Sequence, residues 1–123
     1  MPISRCNSVG AQLLLGIALV IVTYMMLTPD PPKPEVLDFA QSDKLEHLIA
    51  FIILAFLADA GWAETGFTPR KYLPLLAYGI VIELLQYFVP GREVGAWDMI
   101  ANAGGLAVYG LAVLPLLRRL EIR

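Results

Sequence analysis

Four long apolar runs, separated by short stretches rich in proline, glycine and charge, organise this chain. The first extends from about Val9 to Leu27 with no charged residue inside it. The second has an apolar body from Leu45 to Trp62, the third covers about Lys71 to Val89, and the fourth about Ala96 to Leu117. A helix crossing a bilayer needs roughly 20 mainly apolar residues, with a range of about 17 to 25. The pattern therefore predicts an all-α fold, an integral membrane bundle of about four transmembrane helices, as one domain over residues 1–123.

The breaks between the runs agree with this division. Thr28 to Ser42 contains Pro29, Pro31, Pro32 and Pro34, which remove backbone donors and stop a helix from propagating. Ser42 is placed to cap the second helix, and Gly61 and Gly66 bracket its end. Pro74 is expected in the first turn of the third helix, where a missing donor is tolerated. Pro115 is expected to kink or end the fourth. Arg5 precedes the first run, as in a signal peptide, but no small-residue cleavage pattern follows it. Cys6 lies before the apolar run, the wrong side for a lipoprotein acceptor. An uncleaved first helix is expected.

Composition adds weight to the membrane reading. Of 123 residues 58% are hydrophobic and 16% charged, against about a quarter charged in soluble domains. A net charge of -2 gives no basic patch for nucleic acid. The single cysteine excludes an internal disulfide and a multi-cysteine metal site. Arg5, Arg70, Lys71, Arg118, Arg119 and Arg123 fall on one side of the predicted membrane, and Lys33, Lys44 and Arg92 on the other. Six cations against three place both termini in the cytoplasm. Trp62, Tyr72, Tyr87 and Trp97 fall at predicted helix ends, as an aromatic belt would.

That threading gathers eight ionisable or amide residues at the outer face: Asp43, Lys44, His47, Glu83, Gln86, Arg92, Asp98 and Asn102. Asp43 and His47 are four apart, Glu83 and Gln86 three, and Asp98 and Asn102 four, so each pair shares a helix face. Polar groups in a membrane are costly and mark functional sites by default. They also serve as packing glue between helices, and Asp43 and Asp98 are each placed as plain first-turn carboxylates. For the set, a functional site is the favoured reading. His47 is suited to acid–base work near neutral pH, and Glu83 in its apolar wall to the same task. Asp98 joins them as a candidate catalytic or orienting group. Arg92 and Lys44 suit an anionic oxygen, and Gln86 and Asn102 suit hydrogen bonds to a carbonyl or phosphoryl oxygen. Asp43, His47, Glu83 and Asp98 are competent ligands for a hard metal, but no short metal motif is present and no metal is expected. No serine-nucleophile, phosphate-loop or dinucleotide motif occurs. No cofactor is implied. Ala101 and Gly105, and Ala103 and Ala107, are four apart; close packing within the monomer is favoured over a self-association face on the fourth helix.

The order Asp43-Lys44-Leu45-Glu46-His47, Glu83-Leu84-Leu85-Gln86, Pro90-Gly91-Arg92 and Asp98-Met99-Ile100-Ala101-Asn102-Ala103-Gly104-Gly105 resembles the VanZ-like family of small bacterial membrane proteins. The match covers about the last two thirds of the chain, on three helices. That family often has a serine or threonine between the arginine and the aspartate; here the stretch reads Glu93-Val94-Gly95-Ala96-Trp97, without a hydroxyl. The resemblance implies a multi-pass protein of the bacterial cytoplasmic membrane, and a link to glycopeptide (teicoplanin) susceptibility. It does not imply a reaction.

Three functions follow as expectations. The first is an extracytoplasmic pocket that binds or modifies an anionic lipid-linked or cell-wall precursor. In it His47 and Glu83 form the acid–base pair, Arg92 and Lys44 an anion clamp, and Asp98 and Asn102 orienting groups. The second is a structural latch that holds a membrane partner. The third is a small proton-linked carrier built on Glu83.

Overall fold

The computed structural model describes residues 5–28, 42–90 and 96–122. It is all-helical, and no strand occurs among the described residues. Helix α1 is Arg5–Leu27, α2 is Ser42–Gly61 and α3 is Pro69–Gln86. Helix α4 runs Ala96–Arg119. It is α-helical over Ala96–Val108, widens to a π-helical turn at Tyr109–Val113, and returns to α-helix at Leu114–Arg119.

The helix boundaries correct the expected ones in ways that have local causes. Helix α1 begins at Arg5 rather than near Val9, and α2 at Ser42 itself, so the expected cap is the first helical residue. Helix α3 begins at Pro69, where the missing proline N–H costs nothing. Pro74 therefore lies inside the helix and not in its first turn. Its C-terminal end is Gln86 rather than Val89, because the chain tightens there into turns: Phe88 N–H donates to Leu85 O and Val89 N–H to Gln86 O, each at 3.1 Å. Pro115 does not end α4, which continues to Arg119. The Leu114 N–H reaches back five residues to Tyr109 O, and this wider turn takes up the strain a proline ring puts on the preceding carbonyls.

Side-chain contacts give the direction of each helix. Gln12 on α1 meets Gly61 on α2, and Met26 meets Gln86 on α3. On α4, Asn102 meets His47 and Tyr109 meets Asp59. Helices α1 and α3 thus run one way and α2 and α4 the other. Gly105 lets α2 and α4 touch. A Cβ built on it would stand 2.6 Å from Leu48 O and 2.8 Å from Phe51 Cβ. This is close packing within the monomer, the favoured reading of the small residues.

On α2 and α3 the inward stripe is polar at both ends and apolar between. On α3 the buried residues are Lys71, Leu75, Gly79, Ile82, Glu83 and Gln86, a repeat of three and four that marks one face. On α4 they are Asp98, Asn102, Gly105 and Leu106, then Tyr109. Along α2, His47 and Asp59 enclose Phe51, Leu54 and Ala55, all fully buried but the histidine. Twelve residues part His47 from Asp59, about 18 Å along a helix rising about 1.5 Å per residue. Phe51, Leu54, Leu75, Leu106 and Tyr109 form the core between the two polar layers.

The outside is apolar. Leu13, Val20, Ile21 and Tyr24 on α1 and Leu111 on α4 are more than half exposed. Helices α1, from Asn7, and α4 are long and apolar enough to cross a membrane. Helices α2 and α3 have charge spread along them: Asp43, Lys44, Glu46 and Asp59 in one, Arg70, Lys71 and Glu83 in the other, whereas two of the three charges of α4, Arg118 and Arg119, sit at its last turn. Trp62, Tyr87 and Trp97 are exposed at helix ends as expected of a belt. Tyr72 departs from it, because its ring packs on Phe67 with centroids 5.8 Å apart.

Candidate functional site

The first polar layer holds most of the expected residues. His47, Glu83, Gln86, Asp98 and Asn102 are all buried, between 1 and 7% exposed. They come from three helices whose polar positions, three or four apart, all turn inward. His47 Nδ1 and Asn102 Oδ1 lie 2.7 Å apart and bind α2 to α4. An amide oxygen only accepts, so in this pair Nδ1 carries a proton and donates to Asn102 Oδ1.

Asn102 is pressed against α3 at Gly79. A Cβ at Gly79 would lie 3.1 Å from Asn102 Nδ2 and 3.1 Å from Phe51 Cζ, so glycine makes room for the amide. Helices α3 and α4 are antiparallel. With Gly79 facing Asn102, Glu83 one turn later lies at the level of Asp98 one turn earlier. Two carboxyl groups therefore share one layer with the His47–Asn102 pair.

Gln86 takes a different partner from any read in the sequence. Its Nε2 donates to Met26 O at 2.9 Å, one of the last carbonyls of α1. One of the two amide protons is thus committed to holding α1. Two buried atoms of this layer, Gln86 Oε1 and Asn102 Nδ2, make no hydrogen bond among the described residues. Buried polar atoms without partners are rare and costly.

Lys44 is half-buried, three residues before His47 on α2. Asp43 lies in the first turn of α2, with its side chain outside the described residues. Arg92 falls in 91–95, also outside them. Among the described residues, no three His, Cys, Asp or Glu side chains come together to hold a metal ion.

The second polar layer was not anticipated. Lys71 Nζ forms an ion pair with Asp59 Oδ1 at 2.8 Å, with both side chains buried. The same ammonium donates to Asp59 O at 3.1 Å, Trp62 O at 2.8 Å and Thr65 O at 2.9 Å. Tyr109 Oη donates to Asp59 Oδ2 at 2.5 Å. Lys71 thereby satisfies carbonyls at the C-terminal end of α2, and Gln12 Nε2 supplies Gly61 O at 2.6 Å. The available signal was Asp59 itself, a lone carboxylate in the apolar end of α2 that needs a cation. Lys71 reads in the sequence as a loop charge but is a buried one.

Comparison with protein-family models, curated proteins and solved structures gave no match to this chain.

Proposed function

We propose that the chain is a VanZ-like protein of the bacterial cytoplasmic membrane. All four helices cross, both termini are cytoplasmic, and the His47 layer lies at the extracytoplasmic boundary. There it binds or modifies an anionic lipid-linked or cell-wall precursor. The observation that carries this reading is the buried layer of His47, Glu83, Gln86, Asp98 and Asn102, with Gln86 Oε1 and Asn102 Nδ2 unmet by the described residues. An amide oxygen and an amide N–H in one enclosed layer can accept from and donate to the same polar ligand. In this reading His47 and Glu83 move the proton, Lys44 and Arg92 hold the anion, and Asp98 and Asn102 orient it. The apolar exterior and the ordered motifs from Asp43 onward support the membrane and family assignments.

A second reading has an observation of its own. The His47–Asn102 and Gln86–Met26 bonds join α2 to α4 and α3 to α1, as a structural latch would. Labelled teicoplanin binding and growth inhibition separate the two. Sensitive bacteria would express wild type, His47→Ala, Glu83→Gln or Arg92→Ala at matched membrane levels. Changes in both readouts with wild type alone are expected. Equal effects of wild type and variants favour the latch, and no effect of wild type removes the glycopeptide link.

A further inference from the structure

At the other end of the bundle, the surface between α3 and α4 holds a groove of about 480 Å³. Tyr72 and Leu76 of α3 and Leu106, Ala107 and Leu111 of α4 line it, and Arg118 closes one end. Its size lies in the range of about 300–1,000 Å³ usual for small-molecule sites. It carries one charge and is otherwise almost wholly apolar. The Arg118 guanidinium makes no hydrogen bond or ion pair among the described residues. It leans over the α2–α3 turn, where a Cβ on Gly66 would be 3.9 Å from its Nη2.

The same construction recurs beside it. A groove of about 510 Å³ between α1 and α3 ends on Arg70, at the same end of the molecule. Lys71 also borders that groove, but its charge is met by Asp59. The carboxylates of this end, Asp59, Glu64 and Glu121, line neither groove.

We infer that the α3–α4 groove binds an anionic phospholipid, with an acyl chain along Leu76, Ala107 and Leu111 and the phosphate on Arg118. A long apolar channel suits a hydrocarbon chain. A guanidinium at its mouth suits a phosphate, whose oxygens match its fork of donors. A second copy is the poorer occupant. A two-fold axis along the membrane normal would bring two Arg118 side chains to the same end of one interface, like charge against like. The lipid site is distinct from the His47 layer and rests only on the reading of α4 as a membrane span.

The test uses the full chain. Alkaline carbonate extraction of membranes comes first: a chain released by it overturns both the membrane reading and the lipid site. A retained chain is purified in a neutral detergent and titrated with phosphatidylglycerol or phosphatidylcholine of identical acyl chains, with bound lipid read by native mass spectrometry. Phosphatidylglycerol is expected to bind about fivefold tighter, the effect of about one arginine at a membrane surface. Arg118→Gln abolishes the preference, and Ala107→Trp, which fills the groove, weakens both lipids. Arg119→Gln makes the same charge change off the groove and keeps the preference. Equal binding of the two lipids by wild type overturns the lipid site alone. So does a preference lost equally in Arg119→Gln, which would mark diffuse surface charge. A dimer broken by Ala107→Trp and indifferent to lipid would give the groove to a second copy and overturn it too.

Discussion

At the residue scale, the sharpest consequence concerns Lys71. Its ammonium neutralises Asp59 and satisfies three carbonyls where α2 ends. Removing one partner of a buried ion pair leaves the other charge uncompensated, at a cost of about 3–5 kcal/mol. Lys71→Met is therefore expected to lower unfolding stability in detergent by that order. Lys71→Met with Asp59→Asn should recover part of it, because the orphaned charge is gone. Equal loss in single and double variants would show that the carbonyl bonds, not the ion pair, matter. The His47–Asn102 bond is smaller in effect. Interhelical polar contacts in membranes are worth about 0.6 to 2 kcal/mol, and a double-mutant cycle of His47→Ala and Asn102→Ala should return a coupling in that range.

At the element scale, glycines decide how closely helices approach. Gly105→Ala forces a methyl into Leu48 O, a backbone atom that cannot turn aside. Overpacking of this kind costs about 1–3 kcal/mol. Its neighbour Gly104 meets only Leu48 Cδ1 at 3.5 Å, an ordinary contact. There the helix-forming advantage of alanine, up to about 1 kcal/mol, should prevail. Thermal melting of the two variants should thus move in opposite directions. A shared sign would contradict the α2–α4 packing.

The elements themselves were readable because proline and glycine interrupt the apolar runs, and the spacing of His47, Glu83, Gln86, Asp98 and Asn102 placed each on an inward face. Other features were not readable. Asp59 and Tyr109 lie fifty residues apart and meet only because α2 runs alongside α4 in the same direction, and Lys71, twelve residues after Asp59, reaches it because the chain folds back from α2 into α3. The acceptor of Gln86 is a main-chain carbonyl of α1, which leaves no mark in a sequence. Pro69, not Lys71, opens α3, since a proline beside a basic pair reads equally well as loop.

At the scale of the whole molecule, the bundle is a double-ended device with one polar layer at each end and an apolar layer between. The layer of Lys71, Asp59 and Tyr109 is fully partnered and suits structure. The His47 end holds two unmet amide atoms and suits a ligand. Its orientation is testable by labelling single cysteines at Lys33 and Arg118 in a Cys6→Ser background. Lys33→Cys is expected to react from outside and Arg118→Cys only after permeabilisation; the reverse would put the His47 layer in the cytoplasm.

The most direct test of a working site at the His47 end joins function to stability in one preparation. Teicoplanin binding by sensitive cells and melting of the purified protein would be measured for wild type and Glu83→Gln at matched expression. The account predicts a wild-type effect that Glu83→Gln loses while its melting temperature stays close to wild type. An effect that survives in Glu83→Gln, or that disappears only together with the fold, would contradict it.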